Sequence, residues 1–285
     1  MPELPDLVYI VERLRPALLG RRVLKAAVGN PTVLRILVPG DFGELLAGDS
    51  FSALERRGPF LKFTLGRHDL VMHLMLAGRV RVVPGAEKPL AARRFALDLD
   101  DGTRFEYGDE KNMGKVYFCE PGKYEAIPGY LSQGVDLTEP DFDREVFLRL
   151  IAGERRQARV FLMDQTKLSA VGNAYADEIL FSARIHPKSP CNRLSPEEKD
   201  AFYSAIREVL AWGISEVTGA GRPTEDKVRD HMRVRNRAGS SCPVCGATIR
   251  KAGVLGFDSF FCPGCQKPKT EQFIDWNRRT VDSGQ

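Results

Sequence analysis

The chain has 285 residues, 43% of them hydrophobic and 28% charged, and its formal net charge at pH 7 is +4. This length allows two or three domains and a sizeable core. The charge alone indicates neither a nucleic-acid nor a membrane partner, so a partner has to be inferred from where the charges lie. Since no apolar run approaches the roughly 20 residues of a membrane span, and no signal-like segment is evident, we expect a cytoplasmic protein without a membrane partner.

The first element predicted along the chain is a helix close to the N-terminus. Apolar residues recur there at helical spacing, at Leu7, Ile10, Val11, Leu14 and Leu18. Pro5 suits the first turn of a helix, and Asp6 complements the helix dipole. The pattern therefore predicts a helix that Pro2 and Glu3 precede.

Short alternating apolar runs dominate the chain up to about residue 135. Examples are "FLKFTLG", "DLVMHLML" and "RVRVVPG", which are separated by Gly, Pro and Asp. Such runs are typical of an antiparallel sandwich or barrel. His73, alone in its apolar strand, is interpreted as a hydrogen-bonded core residue rather than a ligand or base. The first domain is predicted to span residues 1–135.

The period of the apolar residues changes to that of a helix from about residue 136 to 237. The segment "SPEEKDAFYSAIREVLAWGISEV" carries this period, and Ser195 followed by Pro196 and Glu198 forms a capping box at its start. The sequence predicts a helical second domain over residues 136–237 and a small third unit over 238–285.

Four cysteines in the third unit have the spacing of a zinc ribbon. They form two C-x-x-C pairs sixteen residues apart, at Cys242, Cys245, Cys262 and Cys265. Two tight turns can then present four thiolates to one tetrahedral ion, so we expect one structural Zn²⁺. Disulfides are the alternative, but a reducing compartment favours metal. Cys119 and Cys191 are most simply buried thiols.

Basic residues outnumber acidic ones between Gly219 and Lys251, and Arg237 lies in this stretch. A ribbon beside arginine and lysine side chains is suited to contact with the phosphates of DNA. The alternative is a ribbon that only stabilises the fold or binds protein.

The residues at the N-terminus could also be reactive. Methionine is ordinarily removed when proline follows it, which would leave Pro2 with a free secondary amine. Because an α-amino group titrates near pH 8, part of it is unprotonated at neutrality and can attack a sugar carbon, with Glu3 moving protons. Met-Pro starts are common, and by itself this pattern favours an ordinary helix entry.

Motifs across nearly the whole chain resemble the formamidopyrimidine-DNA glycosylase and endonuclease VIII family. They occur in the family's order: "MPELPD", "HLMLAG", "FLMDQTKLSAVGNAYADEILFSARIHP" and "CPVCG" with "FFCPGCQK". The resemblance implies an α+β multidomain protein with an N-terminal β-sandwich, a helix-two-turn-helix domain and a zinc ribbon. It also implies base-excision repair of damaged double-stranded DNA, and we expect a monomer.

The resemblance assigns roles to particular positions. Pro2 matches the nucleophile that forms a Schiff base at C1′ of the damaged nucleotide, and Glu3 matches its acid/base partner. Asn173 matches a residue that holds phosphate near the lesion. Arg159 stands where a phosphate-binding lysine is usual, and Arg237 is expected to contact DNA.

The sequence departs from the family at two positions that assist elimination. Pro59 stands where a lysine usually lies in a turn, and Phe257 stands where an arginine usually clamps phosphate and serves δ-elimination. Lys62, Lys111 or Lys115 could replace the missing lysine, although the odd offset of Lys62 from Pro59 turns it to the other face of a strand.

Further departures affect the residues that fill the space left by a flipped base. Asn112 and Met113 stand where arginine and phenylalanine are common, and Leu76 replaces the usual methionine, with Met75 adjoining it. The stretch between Gly219 and Cys242 is also shorter than in members that excise 8-oxoguanine.

We therefore predict a DNA glycosylase with reduced or altered lyase activity and a substrate other than 8-oxoguanine. The alternatives are a non-catalytic protein that binds damaged DNA or abasic sites, and a regulator that binds nucleic acid without lesion chemistry.

Overall fold

The alternating runs of the first half of the chain form the strands of two sheets, and the later helical pattern forms a separate group of helices. A computed structural model describes residues 1–269 of the protein. Its helices are α1 (Leu4–Leu18), α2 (Phe42–Leu46), α3 (Arg144–Ile151), α4 (Ala158–Leu162), α5 (Asn173–Ser182) and α6 (Pro196–Ala220). Its strands are β1 (Val23–Val28), β2 (Leu34–Ile36), β3 (Phe51–Arg57), β4 (Phe60–Leu65), β5 (His68–His73), β6 (Gly78–Pro84), β7 (Arg93–Leu99), β8 (Thr103–Asp109), β9 (Lys115–Cys119), β10 (Arg250–Val254) and β11 (Phe257–Phe261).

The N-terminal domain is the predicted β-sandwich. One sheet has the strand order β1-β7-β8-β6 and the other β2-β9-β5-β4-β3. Aromatic rings fill the space between them: the centroid of Phe105 on β8 lies 5.3 Å from that of Phe63 on β4 and 6.3 Å from that of Phe51 on β3. Contacts between rings at such distances hold two sheets together in a dry core.

Helix α1 joins the sandwich to the helical domain. It begins at Leu4, one residue before Pro5, and it packs on both β3 and α6. The apolar positions predicted from the helical period are buried on it, and they belong to one continuous core that extends into both domains. The N-terminal residues are therefore held between two domains.

The second domain contains α3 to α6. The capping box predicted at Ser195 is present, because the Ser195 hydroxyl accepts a hydrogen bond from the backbone N–H of Glu198 and the Glu198 carboxylate accepts one from the backbone N–H of Ser195. Helix α6 ends at Ala220, and the next residue, Gly221, has a φ of 57°, the left-handed conformation that glycine adopts without strain. Cys191 is a free, buried thiol, as is Cys119 in the sandwich.

The third unit is a β10–β11 hairpin beside four converging cysteines. The Sγ atoms of Cys242 and Cys265 lie 3.9 Å apart, those of Cys245 and Cys262 lie 3.4 Å apart, and all four fall within 4.8 Å of one another. A tetrahedron with Zn–S bonds of about 2.3 Å has sulfur–sulfur edges of about 3.8 Å. The donor set and its geometry fit one structural zinc ion, as predicted.

The described part of the chain has no helix with the length and apolar character that crossing a bilayer requires. Residues 270–285 of the predicted third domain lie outside the described residues.

Loss of one zinc ligand is expected to unfold the ribbon and leave the rest of the chain folded. Cys262→Ser leaves three thiolates, and a unit of about 30 residues has too small a core to fold without its metal. We expect zinc content to fall well below one ion per chain and amide exchange to rise in residues 239–268. Cys191→Ser is the matched control, and equal zinc loss in both variants would contradict the assignment.

Candidate active site at the N-terminus

The carboxylate of Glu3 lies at the N-terminal end of α5, in the other domain. It is 5% exposed and accepts hydrogen bonds from the backbone N–H groups of Gly172 (3.1 Å), Ala174 (3.0 Å) and Tyr175 (3.0 Å). The N-terminal end of a helix favours negative charge because its first N–H groups have no partner within the helix. Burial raises the pKa of Glu3, although Arg229 and the N–H groups of Tyr175 and Ala174 act in the opposite direction.

Gly172 permits this close approach. A Cβ atom at this position would lie 2.5 Å from the carboxyl carbon of Glu3. The φ of Gly172 is −121°, which any residue can adopt, so space and not backbone conformation requires glycine here. The N–H of Leu4 also donates to the carbonyl oxygen of Ala170 at 2.9 Å. Two adjacent residues at the start of α1 are thereby fixed to the turn before α5.

A second carboxylate on α1 fixes a loop against the same site. Asp6 accepts hydrogen bonds from the backbone N–H of Glu3 at 2.7 Å and from both terminal nitrogens of Arg229 at 2.8 and 2.6 Å. The guanidinium of Arg229 also lies 5.6 Å from the ring centroid of Tyr175. Such a bidentate pair is geometrically specific, so it orients the loop that follows α6.

Pro2, next to the amino terminus, lines a narrow crevice together with Leu74 and the charged side chains of Arg79 and Lys227. Burial, together with the charge and hydrogen bond of Lys227, lowers the pKa of the amino group of Met1 to about 5. The amine charge in turn adds to burial in lowering the pKa of His73 to about 4. An amine in this environment is unprotonated near neutral pH.

Asn173 is the first residue of α5 and is half-buried beside Glu3's partners. Its side-chain oxygen accepts a hydrogen bond of 2.6 Å from Nη2 of Arg159. Arg159 is only 1% exposed, and it also pairs with Asp177 at 3.3 Å and donates to the carbonyl oxygen of Asp258. In this geometry Arg159 orients Asn173 and the zinc hairpin.

Comparison with known proteins gives the same architecture. Models of the formamidopyrimidine-DNA glycosylase N-terminal domain, its helix-two-turn-helix domain and the zinc finger found in that family and in IleRS match residues 1–116, 133–223 and 239–268. A formamidopyrimidine-DNA glycosylase of Symbiobacterium thermophilum is 34% identical over 273 residues, which cover 93% of this chain and 89% of that protein. The chain belongs to the formamidopyrimidine-DNA glycosylase family.

Solved structures agree with this membership. The MutM (Fpg) protein of Thermus thermophilus has a TM-score of 0.80 and 32% identity, with 94% of this chain and 99% of that chain covered. The Lactococcus lactis Fpg, solved with DNA containing an abasic site, has a TM-score of 0.83 at 24% identity, with 93% and 99% covered; this similarity concerns the fold alone. The family is one of DNA glycosylases, enzymes that cleave N-glycosidic bonds.

Two positions at which this family member departs from the usual residues lie in turns. Pro59 is buried in the two-residue turn between β3 and β4, after Gly58 with a φ of 53°. Phe257 is 53% exposed and begins β11, next to Asp258, whose carbonyl oxygen accepts hydrogen bonds from Arg159 and Arg235. Phe257 therefore lies close to the N-terminal end of α5.

The three lysines considered as replacements differ in their surroundings. Lys62 forms an ion pair of 2.7 Å with Glu55, so its charge is already compensated. Lys111 is exposed in the turn between β8 and β9, whereas Lys115 begins β9 and lies opposite His73 in the β5–β9 pair.

The positions predicted to fill the space of a flipped base lie in two turns. Leu76 is 47% exposed between β5 and β6, after Met75 with a φ of 49°. Asn112 is exposed with a φ of 52° and Met113 is half-buried, in a turn where the Asp109 carboxylate accepts the N–H groups of Lys111 and Gly114. Both turns carry apolar side chains that a partner could contact.

Arg237 is exposed before the ribbon, and its guanidinium donates to the carbonyl oxygens of Met232 and Asp230. Sequence reasoning missed three other residues at the amino terminus, namely His73, Lys227 and Arg229. His73 is half-buried and hydrogen-bonded as expected, with its Nδ1 accepting the N–H of Met75 at 3.1 Å, and the charge of the amine contributes to its lowered pKa. The signal for the other two was their position in the basic stretch.

Substitution of Gly172 is expected to test the contact between Glu3 and α5. Gly172→Ala places a methyl group against the Glu3 carboxyl group, so we expect the free energy of unfolding to fall by about 2 kcal/mol. Gly219→Ala is the matched control, because a Cβ there meets no atom within 4 Å and the residue lies in α6. That change is expected to be neutral or stabilising by up to about 1 kcal/mol. Equal effects in urea denaturation would contradict the proposed close contact.

Proposed function

We propose that this family member excises damaged bases from double-stranded DNA with the amine of Pro2 as nucleophile and Glu3 as proton carrier. The observation that carries the proposal is the buried Glu3 carboxylate, fixed by three N–H groups of α5 directly beside the N-terminal residue. Removal of Met1 would expose the secondary amine of Pro2 in the crevice that Lys227 also lines.

The arrangement supports a sequence of bond changes that needs only solvent water besides the DNA. The nitrogen lone pair of Pro2 bonds to C1′, and the bond from C1′ to the base breaks with its electrons leaving on the base, which takes a proton from water and leaves hydroxide in the solvent. Glu3 accepts the proton that the nitrogen loses. It then delivers that proton to O4′ as the C1′–O4′ bond breaks, which leaves an iminium ion between C1′ and Pro2.

The environment of both groups suits these transfers. An amine must be unprotonated to attack. Burial and the charge of Lys227 lower the pKa of the amino group of Met1, and the same surroundings would act in the same direction on the neighbouring Pro2 amine once Met1 is removed. A carboxyl group must both accept and donate a proton, and a pKa raised by burial brings Glu3 closer to neutrality. Two groups whose proton affinities approach each other exchange protons readily.

DNA would lie across the exposed residues around this site. We infer that Asn173 donates to a phosphate, with Arg159 orienting it, and that Arg237 adds a further contact with the backbone. Leu76, Asn112 and Met113 would occupy the space of the extruded nucleotide, since unstacking costs a few kcal/mol that such contacts offset. A MutM structure solved with 8-oxo-G-containing DNA, 25% identical to this chain, supports a DNA partner. Such a protein would work on the nucleoid in the cytoplasm.

The substrate and the later elimination steps are inferred to differ from those of typical members. Proline at position 59 supplies no proton or charge, and Phe257 cannot pair with phosphate as arginine does. We therefore propose reduced or altered lyase activity. The short segment between Gly219 and Cys242 supports a lesion other than 8-oxoguanine. The alternative, favoured by the same two replacements, is a non-catalytic protein that binds damaged DNA or abasic sites.

Covalent trapping is expected to separate these functions. With abasic-site DNA and borohydride, the chain with a free Pro2 amine should give a covalent complex, because hydride reduces the iminium ion. A peptide extension at the N-terminus is expected to reduce trapping to background, since it converts the amine into an amide. The same extension at the C-terminus is the control. Tight binding of DNA without trapping by the control protein would favour the non-catalytic alternative.

The role of Phe257 can be examined through the strand products. Phe257→Arg restores a guanidinium beside the N-terminal end of α5, so we expect the share of β,δ-elimination product from abasic DNA to rise severalfold. Leu255→Arg adds the same charge at a neighbouring residue that is 74% exposed. It is expected to tighten DNA binding without changing the product ratio. The same product ratio in Phe257→Arg and the original chain would refute this explanation.

A further inference from the structure

The loop over residues 221–232 is fixed against the N-terminal domain along its length. Thr224 donates to the carbonyl oxygen of Val80 at 2.7 Å, and Glu225 pairs with Arg81 at 3.3 Å. The carbonyl oxygen of Arg222 accepts from the hydroxyl of Tyr9 at 2.6 Å, and Arg229 pairs with Asp6. Anchors on α1 and β6 therefore determine where each intervening side chain lies.

Lys227 is the residue that this anchoring directs to the amino terminus. Its Nζ donates to the carbonyl oxygen of Leu76 at 3.2 Å, and its side chain lines the same crevice as Pro2. The charge of Lys227 also contributes, after burial, to the lowered pKa of the amino group of Met1. Among residues 1–269, no carboxylate forms an ion pair with it, whereas Lys62 is paired with Glu55. A half-buried ammonium group without a carboxylate partner is available to act on its neighbours.

We propose that Lys227 is the cation of the reaction centre in this chain, taking over from the family's turn lysine that Pro59 has replaced. This inference rests on the function proposed above. Its side chain lies in the crevice of Pro2, whose amine would attack the sugar, and its ammonium group donates to the turn that carries Leu76. The lysine is supplied by the loop after α6 rather than by the β3–β4 turn, which explains how the site could retain a positive charge without a lysine at position 59.

The expected consequence concerns the protonation of the Pro2 amine. The charged or titratable groups that face the amine, directly or through Lys227, come from α1, β5, β6 and the loop, and they are Glu3, Asp6, His73, Arg79, Lys227 and Arg229. Arg229 is engaged by Asp6, and His73 has a lowered pKa and is neutral near pH 7. Arg79 also lines the crevice, but its guanidinium donates to the carbonyl oxygen of Gly78 and it is not among the groups that lower the pKa of the terminal amine. Lys227 is thus the cation of the crevice that acts on the amine. A like charge disfavours the protonated amine, so removing it is expected to raise the pKa of that amine.

Two readouts on the full chain test this inference, with removal of Met1 verified by intact mass. The first is the rate at which acetic anhydride labels the Pro2 amine as a function of pH, measured by mass spectrometry without DNA. The second is the rate of borohydride trapping on abasic-site DNA over the same pH range. In Lys227→Met, both profiles are expected to move up by about one pH unit, so that trapping at low pH falls about tenfold and recovers at high pH.

Lys227→Arg keeps the charge and is expected to retain both original profiles. Lys25→Met removes one charge from an exposed position on β1 and controls for general effects on DNA binding. Lys227→Gln provides a second neutral variant if Lys227→Met folds poorly. A merely structural role for Lys227 would lower the trapping rate equally at every pH.

The outcomes distinguish the inference from the proposed function. Normal trapping with unshifted labelling and trapping profiles in the neutral variants would overturn the role of Lys227 alone. A profile that shifts in Lys62→Met but not in Lys227→Met would transfer the role to Lys62 and would likewise overturn it. Failure of the unmodified chain to trap at any pH would overturn the proposed function, even if the labelling profile still shifted.

Discussion

A buried carboxylate at the N-terminal end of a helix is the interaction on which the arrangement of the site depends. Glu3 directly precedes α1 of the N-terminal domain. The three backbone N–H groups that donate to its carboxylate lie at the N-terminal end of α5, in the helical domain. The contact satisfies helix donors that would otherwise have no partner, and it compensates a charge that would be costly to bury alone. Because the same residue stands next to Pro2, the force that joins the domains also positions the reactive end of the chain.

A second set of buried charges extends this rigidity to the zinc ribbon. Asp177 on α5 is fully buried between Arg159 and Arg235, and its carboxylate also accepts from the hydroxyl of Ser259 on β11. Burial raises the pKa of Asp177, and the two guanidinium groups oppose that rise. Removal of one partner would leave an uncompensated charge in the interior. The zinc ion therefore stabilises a hairpin whose position relative to α5 is determined by these ion pairs.

Two of the departures from the usual family residues change where positive charge lies in the site. Positive charge is absent from the β3–β4 turn at Pro59 and from the start of β11 at Phe257, while the loop after α6 brings Lys227 to the amino terminus. Electrostatic effects depend on distance and burial rather than on the element that supplies the charge. A reaction centre can thus keep a cation while the chain segment that provides it changes.

The sequence by itself determined the elements and the metal site, because their signals are local. The period of the apolar residues predicted the sandwich strands and α1. The Ser195 capping box predicted the start of α6, and the spacing of the paired cysteines predicted the zinc ribbon. Motif resemblance added Pro2, Glu3 and Asn173 as site residues, which stay predictions until tested. The tertiary structure decided what depends on contacts between residues far apart in the chain. Only it brought Glu3 to Gly172, buried Arg159 against Asp177 and placed Lys227 beside Leu76. No local pattern encodes these contacts, whose partners lie 169, 18 and 151 positions apart in the chain.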